Sequence, residues 1–97
     1  MPKGYWIGRI TVSHPDLYQR YVDSNGPVFA KFGARFLVRS GRHEVAEGTA
    51  RPRNIVVEFP SYDAALACWR SDEYQRVRAL RLDAGEVDIV IVEGYGD

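Results

Sequence analysis

Cysteine and histidine are scarce in this chain: one Cys and 2 His in 97 residues. A lone thiol, Cys68, excludes an intrachain disulfide and a cysteine-rich zinc site. His14 and His43 have no ligand-like spacing, so neither a metal centre nor an axial haem ligand is indicated. An excess of charge of one sign is also missing. Lys+Arg is 13 and Asp+Glu is 13, a formal net charge of +0. No overall field draws the chain toward nucleic acid or an anionic membrane, and none opposes self-association. No apolar run approaches the length of a bilayer span. The opening "MPKGYWIGRI" lacks a long apolar core with a cleavage site, so no secretory leader is expected. There is no phosphate-binding glycine loop and no nucleophile elbow. These absences lead to a cytoplasmic protein without membrane or nucleic-acid partners and without a cofactor.

The composition, 45% hydrophobic and 27% charged, is that of a folded globule. Residues 1–97 read as a single domain. A chain of this size buries only roughly 60–65% of the surface its unfolded form exposes, so burial against a partner would add stability.

Period and punctuation give the order of elements. Tyr5 to Val12 alternates as a strand, with Trp6, Gly8, Ile10 and Val12 on one face. In "SHPD", Ser13 is placed to cap a helix that has Pro15 and Asp16 in its first turn. That helix runs to about Phe32. Its stripe of Tyr18, Tyr21, Val22, Phe29 and Phe32 stays in phase across Gly26-Pro27, which implies one bent helix stopped by Gly33. Arg35 to Ser40 is the second strand, with Phe36 and Val38 on one face and Arg35, Leu37 and Arg39 on the other. Gly41 suggests a bend or bulge, after which His43 to Ala46 extends the strand. Residues 47–53 form the longest loop. Asn54 to Phe59 is the third strand. Ser61 caps a helix with a stripe of Tyr62, Ala65, Leu66 and Trp69. Ser71 caps a further helix to about Leu82, using Tyr74, Val77 and Leu80. Glu86 to Glu93, holding "VDIVIV", is the last strand.

The order β-α-β-β-α-β is the ferredoxin-like α+β arrangement: a four-stranded antiparallel sheet with helices on one face and the first and third strands central. The uncovered face should then be polar. Instead each strand carries apolar residues on both faces: Trp6 and Ile7, Phe36 and Leu37, Val57 and Val56, Ile91 and Val92. A second copy, sheet against sheet, would cover such a patch, so a twofold homodimer is expected.

The stretches "GYWIGRITVSHPDLYQRY", "FGARFLVRSGRHEVAEG", "RPRNIVVEFPSYDAALACWRSDEYQ" and "DIVIVEG" span nearly the whole chain. Through them the chain resembles the domain-of-unknown-function family DUF1330, in the dimeric α+β barrel superfamily. The resemblance implies a ferredoxin-like protomer and a barrel-like dimer, and it implies no particular reaction. The chain departs from the family's usual residues at His14, at Asp72 and at Cys68-Trp69.

Several residues are candidates for chemistry. His43 is of a residue type that can act as an acid or base, although in a strand it would point away from its neighbour Glu44. The plainer reading is a polar hairpin residue. Arg9, Arg39, Glu58 and Asp88 interrupt apolar strands and need partners. They form either a cluster that orients an anionic or carbonyl ligand or an ion-pair network at the interface. Arg39 is the best placed to hold an anion with its planar fork. Tyr18, Tyr21, Phe36, Trp69 and Tyr74 either line a cavity between helices and sheet or pack as core. Tyr21 is a weak catalytic candidate as an acid. Arg51-Pro52-Arg53 with Arg42 reads as a solvated basic loop, and Cys68 as a packed residue. Three functions follow: a homodimeric small-molecule binder, a cofactor-independent monooxygenase or isomerase acting on a small aromatic or carbonyl substrate, or a purely structural assembly domain.

Overall fold

The computed structural model describes residues 2–96. Its elements are β1 (Gly4–Val12), α1 (Pro15–Lys31), β2 (Arg35–Arg39), β3 (Arg53–Phe59), α2 (Tyr62–Arg70), α3 (Asp72–Ala79) and β4 (Gly85–Glu93). The strands form one antiparallel sheet in the order β2-β3-β1-β4. The chain thus has the ferredoxin-like α+β fold, with β1 and β3 central. No helix among the described residues is long and apolar enough to cross a membrane.

Local chemistry explains most of the boundaries. α1 passes through Pro27 without a break, and Gly33 follows it at φ 72, a conformation that favours glycine. Ser61 Oγ accepts from Ala64 N–H at the start of α2. Ser71 serves two helices at once: its hydroxyl donates to the Cys68 carbonyl at 2.7 Å and accepts from Tyr74 N–H at 3.1 Å. Gly4 lets α2 sit directly on β1, because a Cβ there would lie 2.6 Å from Tyr62 Cα.

Four expectations are corrected. Ser13 does not cap α1. His14 occupies the N-cap position without a side-chain cap bond, and the Ser13 hydroxyl instead lies 3.1 Å from His14 Nδ1. The last helix ends at Ala79, and Leu80, in the turn beyond it, is exposed. His43 to Ala46 is not a strand. β2 stops at Arg39, Ser40 takes a positive φ of 58, and residues 41–50 are exposed non-strand chain. The bulge lies at Leu37 rather than Gly41. Phe36 pairs with Val57, Val38 with Val56 and Arg39 with Ile55, so Leu37 is the extra residue. A one-residue shift exchanges faces. Val38 therefore joins Val56 on the open face, while Arg39 joins Phe36 and Ile55 on the helix side.

The core lies between helices and sheet. Trp6 is fully buried at its centre. It stacks on Phe59 at 5.3 Å and meets Phe29, Trp69 and Tyr74 edge-on. Its Nε1–H donates to the Ala65 carbonyl at 3.0 Å, which ties β1 to α2.

The open face is banded. Val38, Val56, Ile7 and Val90 form an apolar row across all four strands. On one side lies the row Arg35, Glu58, Tyr5 and Val92; on the other lies Asn54, Arg9 and Asp88. Val38, Val90 and Val92 are exposed, and so is the bulged Leu37. No helix among the described residues covers this band.

Candidate ligand-binding site

α1 lies over β2 and β3, and a cavity of about 20 Å³ remains between them. That volume suffices for one water. Tyr18, Tyr21 and Asn25 line it from α1, Phe36 and Arg39 from β2, and Arg53 from β3. The bulge at Leu37 is what brings Arg39 to this side.

The lining is polar beyond its own needs. Asn25 is only 3% exposed, yet its Oδ1 has no hydrogen-bond partner. Arg53 Nε is likewise buried and unpaired. The Arg53 guanidinium lies 5.0 Å from the Tyr18 ring centre, and that of Arg39 lies 4.3 Å from Phe36. Ion pairs among the described residues join Lys31 to Glu73, Arg35 to Glu58, and Arg51 to both Glu86 and Asp88. Arg39 and Arg53 belong to none of them. Arg53 Nε and the acceptor Asn25 Oδ1 are costly while buried and unsatisfied, whereas the exposed Arg39 is hydrated. An anionic group at the mouth of the cavity would meet both guanidinium forks.

Behind the cavity, Tyr21 Oη lies 2.9 Å from Tyr74 Oη, and Tyr74 Oη accepts from Arg81 Nη2 at 3.1 Å. Burial raises the pKa of both Tyr18 and Tyr21, with the neighbouring phenols adding to the rise. These phenols therefore stay protonated at neutral pH; they can donate a hydrogen bond but are poor bases. Cys68 is buried and its thiol is pushed up to about 12, so it stays an unreactive packing group.

The other candidates lie elsewhere. His43 is exposed in the chain after β2 and does not line this cavity. Tyr74 is fully buried in the core, and the partly buried Trp69 packs against it with ring centres 5.5 Å apart; neither lines this cavity. Arg9, Glu58 and Asp88 are on the open face, away from Arg39. Although Arg9 sits opposite Asp88 in register, Asp88 is taken by Arg51 Nε at 2.8 Å. Arg51 also donates to Thr11 and Glu86, which fastens the end of the long loop to the sheet. Glu58 accepts from Arg35 Nε at 2.9 Å and from Tyr5 Oη at 3.2 Å.

Sequence reasoning passed over Asn25, although its position falls in phase with Tyr18, Tyr21 and Phe29 on the apolar stripe of α1. A polar side chain in that phase was the available signal. Arg53, expected at the end of the long loop, begins β3.

Partial desolvation works to raise the pKa of Glu58, but the Arg35 and Tyr5 hydrogen bonds outweigh it and hold the value below its ordinary 4.5. A carboxylate depressed in the folded state stabilises above its unfolded pKa, and that contribution is lost as pH falls through the folded pKa. Wild type and Glu58→Gln should therefore differ in Tm at neutral pH and converge below about pH 4.5. Thermal melts across that range check this; parallel curves would remove the assigned role.

The family model for DUF1330, a domain of unknown function, matches residues 3–95. The chain belongs to the DUF1330 family. No curated protein matches it. Among solved structures, this DUF1330 protein is similar to RPA0582 of Rhodopseudomonas palustris, a protein of unknown function. The TM-score is 0.72 at 16% identity, covering 99% of this chain and 85% of that one. It is also similar to SnoaB of Streptomyces nogalater, a cofactor-independent oxygenase, with TM-score 0.66 and 11% identity over 100% and 97% of the two chains. A dimeric ferredoxin-like protein of unknown function from Thermobifida fusca gives TM-score 0.64 and 11% identity over 95% and 91%. At these identities the DUF1330 chain shares a fold with them, and a fold alone does not carry chemistry.

Proposed function

We propose that this protein is a homodimer that binds one small anionic molecule per subunit between α1 and the β2–β3 side of the sheet. The observation that carries the reading is the buried, unpartnered Arg53 Nε beside the ion-pair-free guanidinium of Arg39 at one cavity; the unpartnered acceptor Asn25 Oδ1 calls for a hydrogen-bond donor elsewhere on the same ligand. Arg39 closes the mouth. It is exposed and can swing away to admit a ligand larger than the present volume. The dimer is supported by the uncovered apolar row on the open face and by the dimeric relative from Thermobifida fusca.

Native mass spectrometry of freshly purified protein tests both parts. The expected species is a dimer carrying an extra mass on each subunit. Arg39→Ala should weaken retention of that mass about ten- to hundredfold, the scale of hydrogen bonds to a charged group. Retention unchanged in Arg39→Ala would remove this residue from the site.

The likeness to SnoaB supports a second reading, a cofactor-independent oxygenase or isomerase. Tyr18 and Tyr21 would then donate hydrogen bonds rather than transfer protons, because burial makes them weaker acids as well as keeping them protonated, and any base would come from outside the cavity lining, with His43 a candidate. Turnover that collapses in Arg39→Ala or His43→Ala while the fold persists would separate an enzyme from a binder. A purely structural domain would gain no Tm from any ligand.

A further inference from the structure

A second group of uncompensated charges lies at the other end of the sheet. We propose that the recess between α3 and β4 is a separate binding site for a small carboxylate, held by Arg78 and Arg81.

Arg81 follows α3 and is 6% exposed. Its partner is a neutral phenol: Nη2 donates to Tyr74 Oη, and the guanidinium lies 5.1 Å from the Tyr21 ring centre. Arg78, one turn earlier, has a buried Nε without a partner; its Nη1 reaches only the neutral Gln75 amide at 3.2 Å. Its guanidinium lies 5.3 Å from the Trp69 ring centre. Neither arginine enters an ion pair among the described residues. A buried cation costs several kcal/mol unless an opposite charge accompanies it. Here two cations line one recess, and neither has a carboxylate partner among the described residues.

The space between them has the size and chemistry of a ligand. It measures about 200 Å³ and is completed by Trp69, Val87 and Ile89. An apolar cavity of roughly 150 Å³ holds a benzene ring. This recess can therefore take a flat ring against Val87 and Ile89 while its carboxylate meets the arginines. Planar guanidinium forks favour a carboxylate in two-point contact. The site shares no lining residue with the α1 cavity, and the proposal stands whether or not that cavity binds a ligand.

Benzoate is the probe, with benzamide as its neutral counterpart, read by amide chemical shifts of the ¹⁵N-labelled protein. Benzoate is expected to shift the amides of Trp69, Arg78, Val87 and Ile89 in a saturable way. Benzamide should bind at least about tenfold more weakly, and Arg78→Ala should weaken benzoate by a similar factor, the scale of one charge-assisted hydrogen bond. Arg78 is partly exposed, so its removal should leave the fold in place. If that variant does not fold, the comparison of benzoate with benzamide on wild type decides. Equal binding of the two would reduce the recess to an apolar cleft and overturn the proposal. So would shifts confined to residues around Arg39 and Arg53, or no shifts at all.

Discussion

Trp6→Ala should lose about 3–5 kcal/mol of stability, the range for removing a buried tryptophan side chain. The reason is position. Trp6 is the one ring that touches Phe29, Phe59, Trp69 and Tyr74 together, and so packs β1 against residues from α1, β3, α2 and α3. Its indole N–H also satisfies the Ala65 carbonyl, and losing that donor adds to the cost. A domain of this size holds only about 5–15 kcal/mol in total, so the variant should lie near the edge of folding. Urea unfolding gives the measurement, read as a fall in midpoint at unchanged slope. Trp6→Phe, which keeps a ring but loses the N–H, should lose roughly 1–2 kcal/mol. A loss below about 1 kcal/mol in Trp6→Ala would show that the aromatic cluster does not act as a unit.

Ile7→Glu should convert the proposed dimer to a monomer while leaving the protomer folded. Ile7 lies between Val56 and Val90 in the middle of the apolar row, and in a lone protomer its side chain points to water. Twofold symmetry would place two new carboxylates in the centre of one interface. The penalty for each buried ion is several kcal/mol, so dimer affinity should fall by at least about a thousandfold. Sedimentation across a dilution series checks the mass, and circular dichroism checks the fold. A variant that stays dimeric would place the interface away from this band of the sheet.

The residues that made the fold readable act locally. Ser61 and Ser71 cap the helices they precede, Gly33 stops α1, and alternation in "GYWIGRITV" marks a half-buried strand. Each signal is a property of a few neighbours in sequence. Their order alone is enough to select the antiparallel sheet with β1 and β3 in its centre. The misread features depend on partners distant in the chain. Nothing near Leu37 announces a bulge; it is defined by the pairing of Phe36, Val38 and Arg39 with β3. The second arm of the hairpin failed for a related reason. Alternating residues at 43–46 do not make a strand where there is no ladder to join, and Ser40 has already turned the chain. Arg51 anchors that loop through Thr11, Glu86 and Asp88, far along the sequence.

The candidate site was legible in its residue types and not in its grouping. Arg39, Tyr18, Tyr21 and Phe36 do line one cavity. Arg9, Glu58 and Asp88, which interrupt strands in the same way, lie on the opposite face. A charge in an apolar strand shows that a partner is needed, while the face it occupies follows from register. Asn25 is marked in the sequence only by its phase with the apolar stripe of α1, and Arg81 not at all, because polar residues in turns are ordinarily solvated; burial without a matching charge is what distinguishes it.

The extra residue at Leu37 also bears on how relatives should be compared. Downstream of it, facing is set by chain length as much as by residue identity. A related chain aligned without a gap, but lacking the bulge, would present its counterpart of Val38 to the cavity under α1 and its counterpart of Arg39 to the open face. Two family members could then carry the same five letters in β2 and still differ in pocket charge. Conversely, a valine aligned with Arg39 need not mean that the arginine has been lost.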